Sequence, residues 1–456
     1  MRRVSKFLSP LFVCVLALLS AQAQAPRKVK VDFKDTTLKN GLRVITVEDR
    51  SAPVIALAVT YNVGSRNERE GRTGFAHLFE HMMFKGSANV GAGEHMMLVF
   101  NNGGNLNGTT NEDRTNYFEV LPANQLDLAL FLEADRMKSL GITKDNLDNQ
   151  RNAVQEERRL GVDNEPYGKS DERQQELLYD NFAYKHTVIG SMEDLNAATV
   201  DDVAQFFKIY YAPNNAVLVL VGDFDTAEAL AKIKANFESI PKQPTPPAVD
   251  MTEPAQKAER RDTVEDVLAR AARVDLAYKA VEGNTPDFYA LQVLSAVLQS
   301  GQSSRLYQKL VKEKEIVTSV NGSLAEKRGV GALYTTATLR PGSTNTSDVE
   351  AAIYAEIDRL RKEPIADWEL QKAKNATRRN FINGLSSSIV RAITIGQYTV
   401  YYNDPNLINT RLDKVAAVTK EDVQRVANKY LVDTNRTVVI TMPKAKPKSV
   451  AGVSGQ

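Results

Sequence analysis

The chain has 456 residues, 43% of them hydrophobic and 25% charged, which is long enough for two or three domains with substantial cores. Lys+Arg 58 against Asp+Glu 56 leaves a formal charge of +2, too balanced to suggest nucleic acid or an anionic membrane as partner. The clearest basic cluster, Lys372, Lys374, Arg378 and Arg379, reads as a solvated helix face.

At the start, Arg2, Arg3 and Lys6 precede an apolar run from Phe7 to Ser20, and Ala21-Gln22-Ala23 offers a small-x-small cleavage site. Residues 1–23 are expected to be an export signal, and the mature chain periplasmic or secreted. Pro10 interrupts the run, which is shorter than the roughly 20 apolar residues of a spanning helix. The single cysteine, Cys14, lies inside that segment, so the expected mature chain has no disulfide and no cysteine nucleophile. No later stretch is apolar for long enough to span a bilayer.

Val31 to Val47 reads as a hairpin turning at Asn40-Gly41, and Val54 to Val63 as a second strand. Next comes Gly74-Phe-Ala-His77-Leu-Phe-Glu80-His81, with two histidines four residues apart and a glutamate between them. On a helix these three side chains share one face, and two imidazoles so spaced can grip one Zn²⁺ with the carboxylate beside the open coordination position. The order is H-x-x-E-H, the inverse of the commoner H-E-x-x-H. The competing reading is a helix with two surface histidines; flanking Phe75, Leu78, Phe79, Met82, Met83 and Phe84 favour burial instead. Gly103 to Thr110 is polar and glycine-rich, and Thr115 to Leu121 is strand-like. Helices are predicted at Asn124 to Leu140, Lys144 to Leu160 and Thr199 to Tyr210, then a strand at Ala216 to Val221.

Prolines 241, 244, 246, 247 and 254 mark an interdomain linker over 241–260. Beyond it the pattern repeats. Glu133-Ala-Asp-Arg-Met137 resembles Glu356-Ile-Asp-Arg-Leu360 at an offset of 223, and Thr199, Asp202, Val203, Tyr210 and Asn215 match Thr419, Asp422, Val423, Tyr430 and Asn435 at an offset of 220. A duplicated domain is expected, 27–240 and 261–443, with a disordered tail over 444–456. All 4 histidines precede the linker, so the second copy cannot repeat the metal site. His95 and His186, outside the motif, read as structural or surface residues.

A catalytic zinc usually takes three protein ligands. Helix Lys144 to Leu160 offers Glu156-Glu157, where Leu147, Val154 and Leu160 mark the buried face and Glu157 lies three residues from both Val154 and Leu160. A carboxylate on that face needs a cation, either zinc or an arginine. Gln150, two turns earlier, is placed for a supporting hydrogen bond, and Asn380 stands opposite Glu157 at the 223 offset.

His77-x-x-Glu80-His81, with a glutamate 76 residues on inside Arg151-Asn-Ala-Val-Gln-Glu-Glu157, resembles the pitrilysin family of zinc metallopeptidases. The resemblance extends to Leu38-Lys-Asn-Gly-Leu42, Gly64-Ser65, Gly103-Gly104, Asn164-Glu-Pro-Tyr-Gly168 and the duplication. It implies an α+β fold of two homologous domains, each an antiparallel sheet covered by helices. It implies one Zn²⁺ per chain on His77, His81 and Glu157, and Glu80 as the base that activates water. It also implies that the sheet edge at Asn107, Gly108 and Thr109 takes a peptide or unfolded segment as an added strand. One departure stands out. Active members complete the site with an arginine and a tyrosine seven residues apart from a later domain, and here Val311 and Thr318 occupy those places. A homologous subunit supplying the pair is therefore expected. The rival expectation is a non-catalytic peptide-binding or scaffold homologue.

Overall fold

The computed structural model describes residues 30–444. The expected export signal and the tail beyond Lys444 lie outside the described residues.

The turn at Asn40-Gly41 falls where predicted, between β1 (Lys34–Thr37) and β2 (Arg43–Glu48). Gly41 has φ +90°, and a Cβ there would lie 2.7 Å from that of Asn214, so both the backbone and the space require glycine. The strands β3 (Val54–Tyr61), β4 (Asn105–Thr110), β5 (Thr115–Pro122) and β6 (Ala216–Gly222) complete a sheet ordered β1-β2-β6-β3-β5-β4. A second sheet uses β7 (Arg260–Asp266), β8 (Arg273–Lys279), β9 (Val317–Ala325), β10 (Ala332–Leu339) and β11 (Arg436–Pro443), ordered β7-β11-β8-β10-β9. The second order is the first with β1 removed. The pairing is antiparallel except for β2–β6 and β7–β11, one parallel pair in each otherwise antiparallel sheet.

The internal repeat is visible atom by atom. Thr199 and Thr419 each close a capping box with Asp202 and Asp422, accepting the N–H three residues on at 3.1 Å in both cases. The Asn215 amide donates to the Tyr210 carbonyl at 2.8 Å, and the Asn435 amide to that of Tyr430 at 2.8 Å. Glu133 pairs with Arg136, and Glu356 with Arg359.

The two halves are interlocked. Helix Ser388–Tyr402, from the second half, covers β3 and β6 of the first sheet. Its Ala392, Ile395 and Tyr398 pack with Ile45, Val47, Ala58, Val219 and Val221. Helix Gly168–Leu178, from the first half, lies on the second sheet, where Thr441 Oγ1 donates to Ser170 Oγ at 2.7 Å. This explains why β3 and β6 are apolar on both faces: each face is covered by helices.

The proline-rich segment is without helix or strand over 241–257, but it is pinned. Glu253, its side chain 1% exposed, takes a hydrogen bond from Lys279 Nζ at 2.5 Å and accepts the N–H groups of Asp180 and Asn181 at 2.9 and 3.0 Å. Glu253→Ala strands the Lys279 ammonium with only Asp180 at 3.4 Å as counter-charge, and is expected to lower stability by about 3 kcal/mol. Urea unfolding monitored by circular dichroism measures this, and a loss under about 1 kcal/mol would show the anchor to be dispensable.

Candidate metal centre

Helix α1 (Phe75–Met82) starts at Gly74, which has φ +83° and no side chain to cap the first turn. The cap comes from outside. The buried Glu68 carboxylate accepts the N–H groups of Gly74 at 2.9 Å and Ala76 at 2.7 Å, satisfying donors that a helix start leaves unpaired. His186 Nε2 lies 2.9 Å from the same carboxylate, and His186 Nδ1 lies 2.8 Å from the Phe182 carbonyl. His186 is thus structural: it braces the residue that braces the helix.

On α1, the His77 and His81 rings stand 4.8 Å apart at 79°. Helix α4 (Lys144–Arg158) brings Glu157 across to them, its Oε2 lying 3.6 Å from His77 Nε2 and 3.4 Å from His81 Nε2. One donor atom from each of the three lies within 4.8 Å of the others. Burial, and then the charge of His81, pushes the His77 imidazole down to about 4, so it is neutral and its lone pair is available. The hydrogen bond from His81 holds Glu157 below the usual carboxylate range. Two imidazole nitrogens and one carboxylate oxygen form a donor set that fits a catalytic zinc with one open position.

Two expectations about α4 need correction. Glu157 is not buried: its side chain is 52% exposed, and Leu160, read as part of the buried face, is 63% exposed. The α-helix gives way to a π-turn at Arg159–Asp163, and the changed periodicity swings Leu160 outward. Gln150 is buried as expected, but its amide donates to Asn149 Oδ1 at 2.5 Å. His77 Nδ1 is buried without a hydrogen bond, so the predicted support of a ligand by Gln150 is not made. The adjacent Asn149 takes its donor.

Glu80 is 9% exposed, and burial raises its carboxyl above the ordinary range. Its Oε2 accepts the Thr110 hydroxyl at 2.5 Å. Thr110 ends β4, and β4 is the edge of the first sheet, the edge that the family resemblance implied at Asn107, Gly108 and Thr109. Gly108 is buried against Glu80, whereas Asn107 and Thr109 face outward. The Asn107 Oδ1 accepts the Gly108 N–H at 2.8 Å, and the Thr109 carbonyl accepts Arg114 Nη1 at 2.6 Å. Thr110 was not singled out in the sequence, although strand alternation places it on the face of Gly108.

A second cluster of possible ligands, His95, Glu119 and Glu133, is fully buried. It already has its cation. Arg136 Nε donates to Glu133 at 3.0 Å, and its guanidinium lies 4.6 Å over the Tyr117 ring. Burial raises the Glu119 carboxyl well above its usual range, toward the neutral form, and His95 Nε2 lies 3.4 Å from it. His95, like His186, is structural.

This fold and this donor set define a class: two-domain H-x-x-E-H metallopeptidases. The chain belongs to the insulinase family, peptidase family M16. The family model matches residues 43–191, and the model described as peptidase M16 inactive domain matches residues 197–377. The zinc protease PqqE of Helicobacter pylori is 33% identical over 445 residues, 97% of this chain and 99% of that protein. The crystal structure of a protease from Helicobacter pylori superposes with a TM-score of 0.87 at 33% identity, over 91% of this chain and 100% of that one. The periplasmic protease PqqL from Escherichia coli shares the fold at a TM-score of 0.73 and 19% identity, over 93% of this chain but 50% of its own length. The family resemblance read from the sequence therefore holds.

Burial, and then the charge of Arg136, pushes the His95 imidazole down to about 2, so it stays neutral in the fold while the unfolded chain takes up a proton below about 6.5. Its contribution is complete above that pH and shrinks steadily as pH falls. His95→Gln, which cannot titrate, is expected to lose about 2–3 kcal/mol less stability than wild type between pH 6.5 and 4.5. Parallel acid limbs for the two proteins in urea unfolding would refute this.

Proposed function

We propose that the chain is an exported zinc metalloendopeptidase that hydrolyses peptides or unfolded polypeptide segments, acting as the zinc-bearing subunit of a pair. The observation that carries this reading is the convergence of His77, His81 and Glu157 on one point, with the buried Glu80 beside them and the open edge of β4 alongside. His77, His81 and Glu157 would hold one Zn²⁺. Bound there, the ion would supply Lewis acidity, acidifying water and polarising a peptide carbonyl. Glu80, desolvated and with its carboxyl raised, is suited to take the proton of the attacking water and pass it to the leaving amine. The edge of β4 at Asn107, Gly108 and Thr109 would take an extended substrate as an added strand, pairing through the main-chain groups that face away from β5. The inactive-domain match over 197–377 includes none of His77, Glu80, His81 or Glu157, so it does not favour the scaffold reading.

The two positions where the family resemblance places the arginine and the tyrosine hold Val311 and Thr318. Val311 packs against the core of its own sheet, and the Thr318 hydroxyl donates to the Thr338 carbonyl at 3.2 Å. A homologous subunit would supply the pair. Among the described residues no helix is long and apolar enough to cross a membrane. Export rests on the segment 1–23.

Glu80→Gln is expected to retain about one zinc per chain while kcat falls about 10²–10⁴-fold; turnover near wild type in that variant would sink the general-base role. Coexpression with a homologous neighbour tests the pairing. Activity is expected from the two chains together and not from this chain alone, and full activity from the isolated, homologue-free chain would overturn it.

A further inference from the structure

The last residue of β4 sits between the strand edge and the base. Asn111 N donates to Arg114 O at 3.0 Å, which closes the β4–β5 hairpin and fixes its parity. With the register Asn107↔Phe118, Thr109↔Asn116, the odd-numbered residues of β4 bond to β5. Gly108 and Thr110 therefore turn their main-chain groups to the open edge. Their side-chain positions face α1. Both meet the same carboxylate.

Thr110 Oγ1 donates to Glu80 Oε2 at 2.5 Å. Its other neighbour is Thr115 Oγ1 at 3.3 Å, and Thr115 gives its own hydrogen to the Val63 carbonyl at 3.0 Å. A hydroxyl has one hydrogen to donate. Of the two acceptors open to Thr110 the carboxylate is the charged one and the nearer, at 2.5 Å against 3.3 Å, so the hydrogen goes to Glu80. On the other side of the carboxylate, a Cβ at Gly108 would stand 3.0 Å from Glu80 Oε1 and 3.0 Å from its Cγ. One oxygen is held by a hydroxyl. The other lies against a bare glycine and accepts no hydrogen bond from the described residues.

We infer that Thr110 is a positioning residue for the Glu80 carboxylate: its hydroxyl binds Oε2 and leaves Oε1 to face the attacking water. This rests on Glu80 being the general base, as proposed above. The last residue of the edge strand thus sets the base, and the same residue carries main-chain groups that an added strand would reach. Displacing a reacting group by about 1 Å can lower a rate by about 10²-fold, so a carboxylate free to rotate is a poorer base even when the metal and the fold are intact.

The test compares zinc-loaded wild type, Thr110→Val, Thr110→Ser, Glu80→Gln and the double variant Thr110→Val/Glu80→Gln, each coexpressed and assayed together with the homologous neighbour. Valine keeps the shape and β-branching of threonine without the hydroxyl; serine keeps the hydroxyl. For Thr110→Val, kcat is expected to fall about 10–100-fold with KM within a few-fold, and zinc content and the unfolding midpoint unchanged. Serine is expected to recover most of the loss, and adding Thr110→Val to Glu80→Gln to change nothing further. A valine variant with wild-type kcat would overturn the role, as would a serine variant as impaired as valine, or a further loss in the double variant. If Thr110→Val is normal while Glu80→Gln is inactive, only the positioning role fails. If Glu80→Gln is fully active, or wild type is inactive, both the base and its positioning residue fall.

Discussion

The site depends on a buried carboxylate that, among the described residues, pairs with neither lysine nor arginine. Glu68 is desolvated, and its partners are two helix N–H groups and the His186 imidazole. A charge in that position is stable only while all of these are kept. It ties the first turn of α1 to the loop before it, and His186 ties that loop to a segment more than a hundred residues later. Close packing enforces the same placement. A Cβ on Gly74 would lie 2.6 Å from the Ile189 carbonyl, and one on Gly190 would lie 2.4 Å from Gly74 N. With its N-terminus held, α1 is fixed in the orientation that turns His77 and His81 toward Glu157.

Duplication explains which features concern folding and which concern chemistry. Strand order, the capping boxes, the Asn215/Asn435 brackets and the Glu–Arg pairs at 133/136 and 356/359 occur in both halves, and all of them seat helices on sheets. The carboxylate does not recur. Where Gly108 lies over Glu80, the equivalent Gly322 of β9 lies over Gln299, with a Cβ there 2.0 Å from the Gln299 amide carbon. Gln299 is buried, accepts the Thr335 hydroxyl at 2.5 Å and donates to Ser295 and to the Tyr334 carbonyl. All its polar atoms are engaged within the fold. The second half keeps the geometry of an edge strand over a helix and fills it with a neutral, fully satisfied amide.

How much of this was legible in the sequence follows from the range of each interaction. The H-x-x-E-H face and the Asn40-Gly41 turn are set by residues within four positions of each other, and they stand where the pattern puts them. Glu157 was reached by helical phase, which is local too, and the error about Leu160 began where the π-turn broke that phase. Helix α2 (Glu94–Asn101) went unread because Met96, Met97 and Phe100 are exposed, so its sequence lacks a polar face. The exchange of helices Gly168–Leu178 and Ser388–Tyr402 between sheets was not legible either. An amphipathic pattern says that a helix is covered but not by which half. The same holds for Glu68, His186 and the Thr110 hydroxyl, whose partners lie on other elements.

The four residues of the site differ in exposure. Glu80 is 9% exposed as a residue, and the side chains of His77, His81 and Glu157 are 13%, 26% and 52% exposed. Glu80, the proposed base, is thus the driest of the four, where a proton acceptor gains from desolvation, and Glu157, the third proposed donor to a metal, is the wettest. Charge developing on a substrate beside Glu157 would be screened by water unless a surface closed over it. Nothing in the second half is free to do so through the two family positions, because Val311 is committed to its own core and Thr318 to its neighbouring strand. The PqqL comparison shows that this fold also occurs as half of a longer chain. Under the proposed pairing, a second unit packed over Glu157 would supply both the arginine and tyrosine and the exclusion of water.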